Sequence, residues 1–268
     1  MTIMSIGRTT AVLLAGAVLL AGCRDNTSAT SAVTGSAPAA APLASASSDP
    51  SPAPADSSPA PADNGVAALA PAAILKAAKA ALTAAKSFHL QGKTNSGGET
   101  TGLDFKIDGT DVAGKMTMGG ADVELLSVGG QHYIRPNSKF WTKSGGGAKK
   151  GAAIAQLVGD RWVKVPASDK AFGSLFTVTD VNELLKPDGK VTKGAVKEID
   201  GTKAIGLAEG GSDGGTLWVA TVGKPYPLRL QGPTAADGGL TFSDFGATFA
   251  DIKKPSATQV VDLSKLAG

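Results

Sequence analysis

Few residues in this 268-residue chain are placed to do chemistry. Gly210-Gly211-Ser212-Asp213-Gly214 matches the G-x-S-x-G string of a nucleophile elbow, which would make Ser212 an attacking hydroxyl. An elbow needs a helix after the serine, however, and the next segment, GTLWVAT, reads as a strand. Both histidines, His89 and His132, precede the serine, the reverse of the order in which an α/β-hydrolase supplies its base. A hairpin loop accounts for the string. SGGGAKKG, residues 144–151, lacks the G-x-x-x-x-G-K-[ST] spacing of a phosphate cradle and reads as a mobile loop ahead of a short helix. His89 and His132 fall on separate strands with no Cys or carboxylate at ligand spacing, so no metal site is expected and each reads as a satisfied strand histidine. Glu124 is a single carboxylate where acid/base hydrolysis needs two, and it is expected to pair with a basic neighbour. No catalytic residue and no cofactor follow from these patterns, and the chain reads as a non-enzyme.

The only cysteine, Cys23, is a different case. It ends an uncharged run from Ala11 to Gly22 that follows Arg8 and is shorter than the ~20 apolar residues of a membrane-spanning helix, the form of an export signal. Leu20-Ala21-Gly22-Cys23 resembles the lipobox of bacterial lipoproteins. That resemblance implies removal of residues 1–22 and a thioether-linked diacylglycerol on Cys23, which would anchor the mature chain to the outer face of the cell membrane. An anchor of ~30 methylenes at ~0.8 kcal/mol each is worth on the order of 20 kcal/mol. With no second cysteine, disulfides contribute nothing and the fold must rest on an ordinary core.

Formal net charge is +3, with Lys and Arg scattered rather than gathered on one face, which argues against nucleic acid as a partner. Lys149-Lys150 and Lys253-Lys254 read as solvated loop charge. Residues 23–69 are dominated by Ala, Ser, Pro, Thr and Asp, as in APLASASSDPSPAPADSSPAPADNG. Such a stretch cannot bury enough surface to offset the entropy of ordering it, so a disordered tether is expected, extended at ~3 Å per residue.

The elements that must position any site begin at residue 70. In PAAILKAAKAALTAAKS, Pro71 suits a first helical position; Ile74, Leu75, Ala78, Ala81, Leu82 and Ala85 share a stripe opposite Lys76, Lys79 and Lys86. The small side chains on that stripe allow either close packing on a sheet or room for a ligand. SFHLQGKT, GLDFKIDGT, VAGKMTMGG, ADVELLSVGG and QHYIRP alternate apolar and polar and close on Gly, Asn or Asp, the pattern of an antiparallel meander. Two short helices are expected next, over GAAIAQLVG at 151–159 and over TVTDVNELLK, with Thr177 and Asp180 spaced for a capping box. Strands resume as KVTKGAVKEI, TKAIGLAE, GTLWVAT, YPLRLQG and LTFSDFG, with FADIKKP as a last extended piece. The sum is one α+β domain over 70–268 with about ten strands and three helices.

This order of elements, and above all GTLWVATVGKPYPLRLQG followed by GGLTFSDFGATFADIKKP, resembles the actinobacterial LppX/LprAFG lipoproteins. The resemblance implies a strongly curved antiparallel sheet, a half-barrel like that of the LolA/LolB carriers, with helices over its concave face and an apolar cavity between. It further implies a monomer that binds acylated lipids or glycolipids and helps move them outward, with an envelope transporter as a partner. Leu103, Phe105, Ile107, Met116, Met118, Val123, Leu125, Ile154, Leu157, Val181 and Leu184 are placed near the concave side. Met116 and Met118 could adapt to differing acyl chains or serve as plain core. The alternative is a ligand-free sensor or protein-docking module on the same scaffold; lipid extracted from purified protein would separate the two.

Overall fold

Alternation along the strands and Gly-rich turns between them set the architecture. The computed structural model describes residues 62–144, 147–166, 170–173, 175–176, 180–211 and 214–262. Ten-residue β1 (Ser87–Ser96) opens a meander through β2 (Glu99–Asp108), β3 (Asp111–Met118), β4 (Ala121–Val128) and β5 (Gln131–Pro136), each antiparallel to its predecessor. The β3–β4 and β4–β5 turns are Gly119-Gly120 and Gly129-Gly130. All four glycines hold positive φ, the requirement of a type I′ turn whose twist matches the flanking strands. A second meander comprises β7 (Val191–Ile199), β8 (Thr202–Glu209), β9 (Thr216–Ala220), β10 (Pro227–Gln231) and β11 (Gly238–Ser243). β1 pairs with β11 and fuses the two.

With β6 (Trp162–Val165) and β12 (Val260–Asp262), the described residues form one open sheet of twelve strands in the order β12-β6-β5-β4-β3-β2-β1-β11-β10-β9-β8-β7. Only the β12–β6 pair is parallel. Twisted sheets of more than ~10 strands curl, which gives this one the half-barrel form. The expected α+β class and antiparallel half-barrel are what the structure has, with twelve strands rather than ten. β6 and β12 escape sequence reading because four and three residues are too short for a period. FADIKKP is not a strand: residues 249–255 run as turn and coil.

Five α-helices appear among the described residues. α1 (Pro71–Ala85) starts on Pro71 as expected and buries Ile74, Ala78 and Leu82, spaced i, i+4, i+8 on one face. α3 (Ala148–Val158) begins earlier than expected, so Lys149 and Lys150 are exposed helix residues rather than loop. α2 (Ser138–Ser144) was not visible in the sequence, because Phe140-Trp141 is a lone apolar pair without helical spacing. α4 covers Lys170–Gly173. α5 (Val181–Leu184) is a single turn capped by Asp180, whose carboxylate accepts the Asn182 N–H at 2.8 Å; Thr177 lies outside the described residues.

Contacts with the sheet also begin before residue 70, the expected start of the domain. Asp63 bridges Val222, the Asn64 N–H donates to the Thr221 carbonyl at 2.9 Å, and Val66 is buried. At the other end, the chain leaves β11 and crosses the outer face of the sheet as a strap. Gly246 N–H donates to Ser87 O, Ser87 Oγ to Ala247 O, and Asp251 accepts from Lys106 at 2.8 Å before β12 docks on β6.

Candidate ligand-binding site

Period-2 alternation gives the sheet two unlike faces. The inner one carries Phe88 and Leu90 of β1, Leu103, Phe105 and Ile107 of β2, Val112 and Met116 of β3, and Val123 and Leu125 of β4, all buried in one core. Across β11 to β8 it continues through Phe242, Leu240, Leu230, Leu217, Val219, Leu207 and Ile205. Helices cover this face in two groups. α1 packs on β1, β10 and β7 and touches α5, with Lys79 Nζ donating to Asn182 O at 3.3 Å. α2 packs on β4 and β5 and against α3. The α2–α3 approach depends on Gly151, where a Cβ would sit 2.3 Å from the Trp141 carbonyl oxygen. The inner residues of β2 and β3 thus lie in a seam between the main contacts of the two helical groups, with Met116 buried there and Met118 half-buried.

Seven of the eleven residues expected at the concave side are in the buried core: Leu103, Phe105, Ile107, Met116, Val123, Leu125 and Leu184. Met118, Ile154 and Val181 pack against it. Leu157 is a correction, since it is 52% exposed. α3 presents Val158 inward instead, and the one-residue difference turns Leu157 by ~100° to solvent.

Aromatic side chains gather over β4–β6. Phe140 and Trp141 of α2 meet Phe172 of α4 at ring-centroid distances of 6.4 and 6.5 Å, and Phe176, four residues on, lies 4.4 Å from the His132 ring. His132 is on the inner face of β5, opposite Ser127 and Val165 in register. Its Nδ1 is buried without a hydrogen-bond partner, contrary to the expectation of a satisfied strand histidine. Trp141 Nε1 is in the same condition, in a residue only 4% exposed. Sequence reasoning had no means of finding Trp141 or Phe176, because only tertiary packing brings them to β5.

Outer-face chemistry is polar and self-paired. Asp104, Lys115, Glu124 and Arg135 stand in one cross-strand row over β2 to β5, and the Arg135 guanidinium lies 4.6 Å from the centre of the Trp162 ring. Glu124 pairs with Arg135, as expected of it. The strap roofs this row with Asp251, Lys253, Lys254, Pro255 and Gln259, leaving an open groove of about 510 Å³. Hydrogen bonding to Asp251 raises the Lys106 pKa and hydrogen bonding to Lys106 lowers that of Asp251. Lys115 and Asp122 shift in the same opposed directions, through their mutual hydrogen bond.

His89 lies on this face with Nε2 2.7 Å from Asp104 and Nδ1 3.4 Å from Asp244. Ser243 is its cross-strand neighbour, but the Ser243 hydroxyl donates to Asp244 and both imidazole nitrogens already face carboxylates. That arrangement leaves no nitrogen to take a proton from the serine. The G-x-S-x-G string joins β8 to β9, two antiparallel strands, with Ser212 and Asp213 themselves outside the described residues. Among the described residues no group of three or more His, Cys, Asp or Glu could hold a metal ion, and no helix is long and apolar enough to cross a membrane. Cys23 and the expected signal and most of the tether also lie outside them.

No family model and no curated protein matches this chain. Among solved structures it is similar to LprF from Mycobacterium bovis, at 13% identity and a TM-score of 0.42 over 70% of this chain and 97% of that one. It is also similar to the Mycobacterium tuberculosis lipoprotein LppX, at 14% identity and 0.39 over 68% and 94%. A third is the Pseudomonas aeruginosa MucA/MucB complex, at 15% identity and 0.36 over 70% and 61%. At these identities the likeness is one of fold.

Proposed function

We propose that the protein is an exported envelope lipoprotein, tethered to the outer face of the cell membrane through lipidated Cys23, that binds acylated lipids or glycolipids in the interior of its half-barrel and helps transport them. The observation that carries this reading is the division of the inner-face helices into two groups, α1 with α5 and α2 with α3, over opposite halves of an apolar sheet. A single fused layer would have to unpack to admit a chain. Two groups need only part along the seam above Leu103, Met116 and Met118, where thioethers adapt to varied acyl shapes. Each methylene transferred there from water contributes ~0.8 kcal/mol, so a sixteen-carbon chain supplies about 12 kcal/mol against the cost of association. The chain's own residues perform no covalent step in this scheme.

The alternative, a ligand-free module docking an envelope protein, would find its readiest surface in the free edge of β7. That edge is interrupted by a register shift between Lys193 and Val196 and carries Lys193 and Lys197, features that blunt strand addition. The carrier reading is tested by extracting the purified full chain under denaturing conditions and analysing the released lipid by mass spectrometry. Acylated lipid that leaves on denaturation, distinct from the diacylglycerol retained on Cys23, is the expected result. Absence of released lipid, together with no binding of added diacylglycerol or phospholipid, overturns it.

A further inference from the structure

The two buried ring nitrogens without partners, Trp141 Nε1 and His132 Nδ1, occupy one aromatic wall of the interior. Phe172 stands against Trp141 and Phe176 against His132, and α2, which carries Trp141, packs on β5, which carries His132. On the α1 half of the same interior the helix presents Ile74, Ala78 and Leu82. A buried polar atom left unpaired is disfavoured, and native proteins keep few of them. Two such groups in one wall need a purpose that Phe in their places would not serve. The remaining orphan among the described residues, Glu209 Oε2, is on the other half of the sheet, and its sister oxygen accepts the Gly189 N–H.

We propose that this aromatic wall is where the interior receives the polar linkage of its ligand, with Trp141 Nε1, joined by His132 Nδ1 in its Nδ1–H tautomer, donating to the carbonyl oxygen of an acyl ester. The proposal rests on the carrier reading and specifies it. Trp Nε1–H is a donor only, so its partner must be an acceptor. The rings of Phe140 and Phe172 stand against it, the ring of Phe176 lies against His132, and the register partners of His132 are Ser127 and Val165. None of these carries a charge. An anionic head group would enter such a place at a large desolvation cost with no cation among these residues to meet it, whereas a neutral ester carbonyl needs only a donor. The acyl chains would lie on along the apolar inner face, and the head group would stay outside.

The experiment sets two probes in competition on the full chain: dioleoylglycerol, which has two ester carbonyls, and the dialkyl ether of equal chain length, which has none. Wild type is expected to prefer the ester by about tenfold, the worth of one buried hydrogen bond. Trp141→Phe keeps the ring and removes the donor. It is expected to bring the ester-to-ether ratio close to one while leaving affinity for the ether unchanged, and His132→Phe is expected to reduce the ratio in part. The His132→Phe variant supplies the same readout if a thermal melt shows that Trp141→Phe does not fold. A ratio near one in wild type, or a tenfold ratio that survives both substitutions, overturns the proposal while leaving the carrier reading standing. Failure of both probes to bind wild type sinks the carrier reading and this proposal with it.

Discussion

Replacing Gly114 by alanine measures how tightly the centre of the sheet is packed. Gly114 lies mid-strand in β3, opposite Phe105 on one side and Leu125 on the other, both fully buried. A Cβ there would stand 2.2 Å from the Asp104 carbonyl oxygen, 2.3 Å from Phe105 Cδ1 and 2.7 Å from Phe105 Cα. Two of those three atoms are backbone, so they cannot swing aside as a flexible side chain would. Either β2 and β3 separate, straining their ladder, or Phe105 leaves its place in the core. Overpacking of this kind costs 1–3 kcal/mol, and the contact with main chain puts Gly114→Ala at the upper end, about 3 kcal/mol. In a domain of this size that lowers the melting temperature by roughly 6–12 °C. Gly102→Ala is the control, because its Cβ meets only Thr117 Cβ, at an ordinary 3.6 Å. There the loss of unfolded-state freedom should leave stability unchanged or raise it by up to about 1 kcal/mol. Thermal and urea unfolding of both variants read the difference. If Gly114→Ala melts within about 2 °C of wild type and alongside Gly102→Ala, the close approach of β2 to β3 is not as described, and the reasoning fails.

The strap should respond to pH through Asp251. Its carboxyl is held below the ordinary 3.8 by Lys106, so its contribution is complete above that value and disappears as pH falls through the lower, folded-state pKa. Lys106 is raised above 10.5, so its share is complete below that value and is lost only as pH rises through the folded-state pKa. Both side chains are more than a third exposed, which limits the pair to about 0.5 kcal/mol. Urea midpoints should therefore show Asp251→Asn slightly less stable than wild type near pH 7 and the gap closing in strong acid; a gap that persists there refutes the assignment. For the anchor, Cys23→Ala should abolish acyl labelling and release the chain from the membrane fraction, and continued labelling would rule out lipidation at Cys23.

How much was legible is clearest from particular elements. The five strands from Ser87 to Pro136 could be read residue by residue, because a strand with one wet face repeats every two residues and diglycine turns punctuate it. α1 was legible because Pro71 and the spacing of Ile74, Ala78 and Leu82 are local signals. β6, β12 and α2 were not, since elements of four, three and seven residues are held by what they pack on rather than by their own propensity. Leu157 went wrong for a related reason: α3 has apolar residues on more than one side, and only its contact with α2 through Gly151 decides which side turns inward.

By itself, the sequence determined the class of fold and the two-faced character of the sheet, because alternation and turn chemistry are properties of neighbouring residues; a short motif of the same local kind is what motivates the proposed attachment at Cys23. Tertiary structure alone decided the rest. It closed the two meanders into one sheet through β1 and β11, drew the strap across the outer face, and set Trp141 and His132 into one wall with Phe172 and Phe176. Most of those relations join residues tens to more than a hundred positions apart, where no local periodicity reaches and only the packing of whole surfaces selects one arrangement.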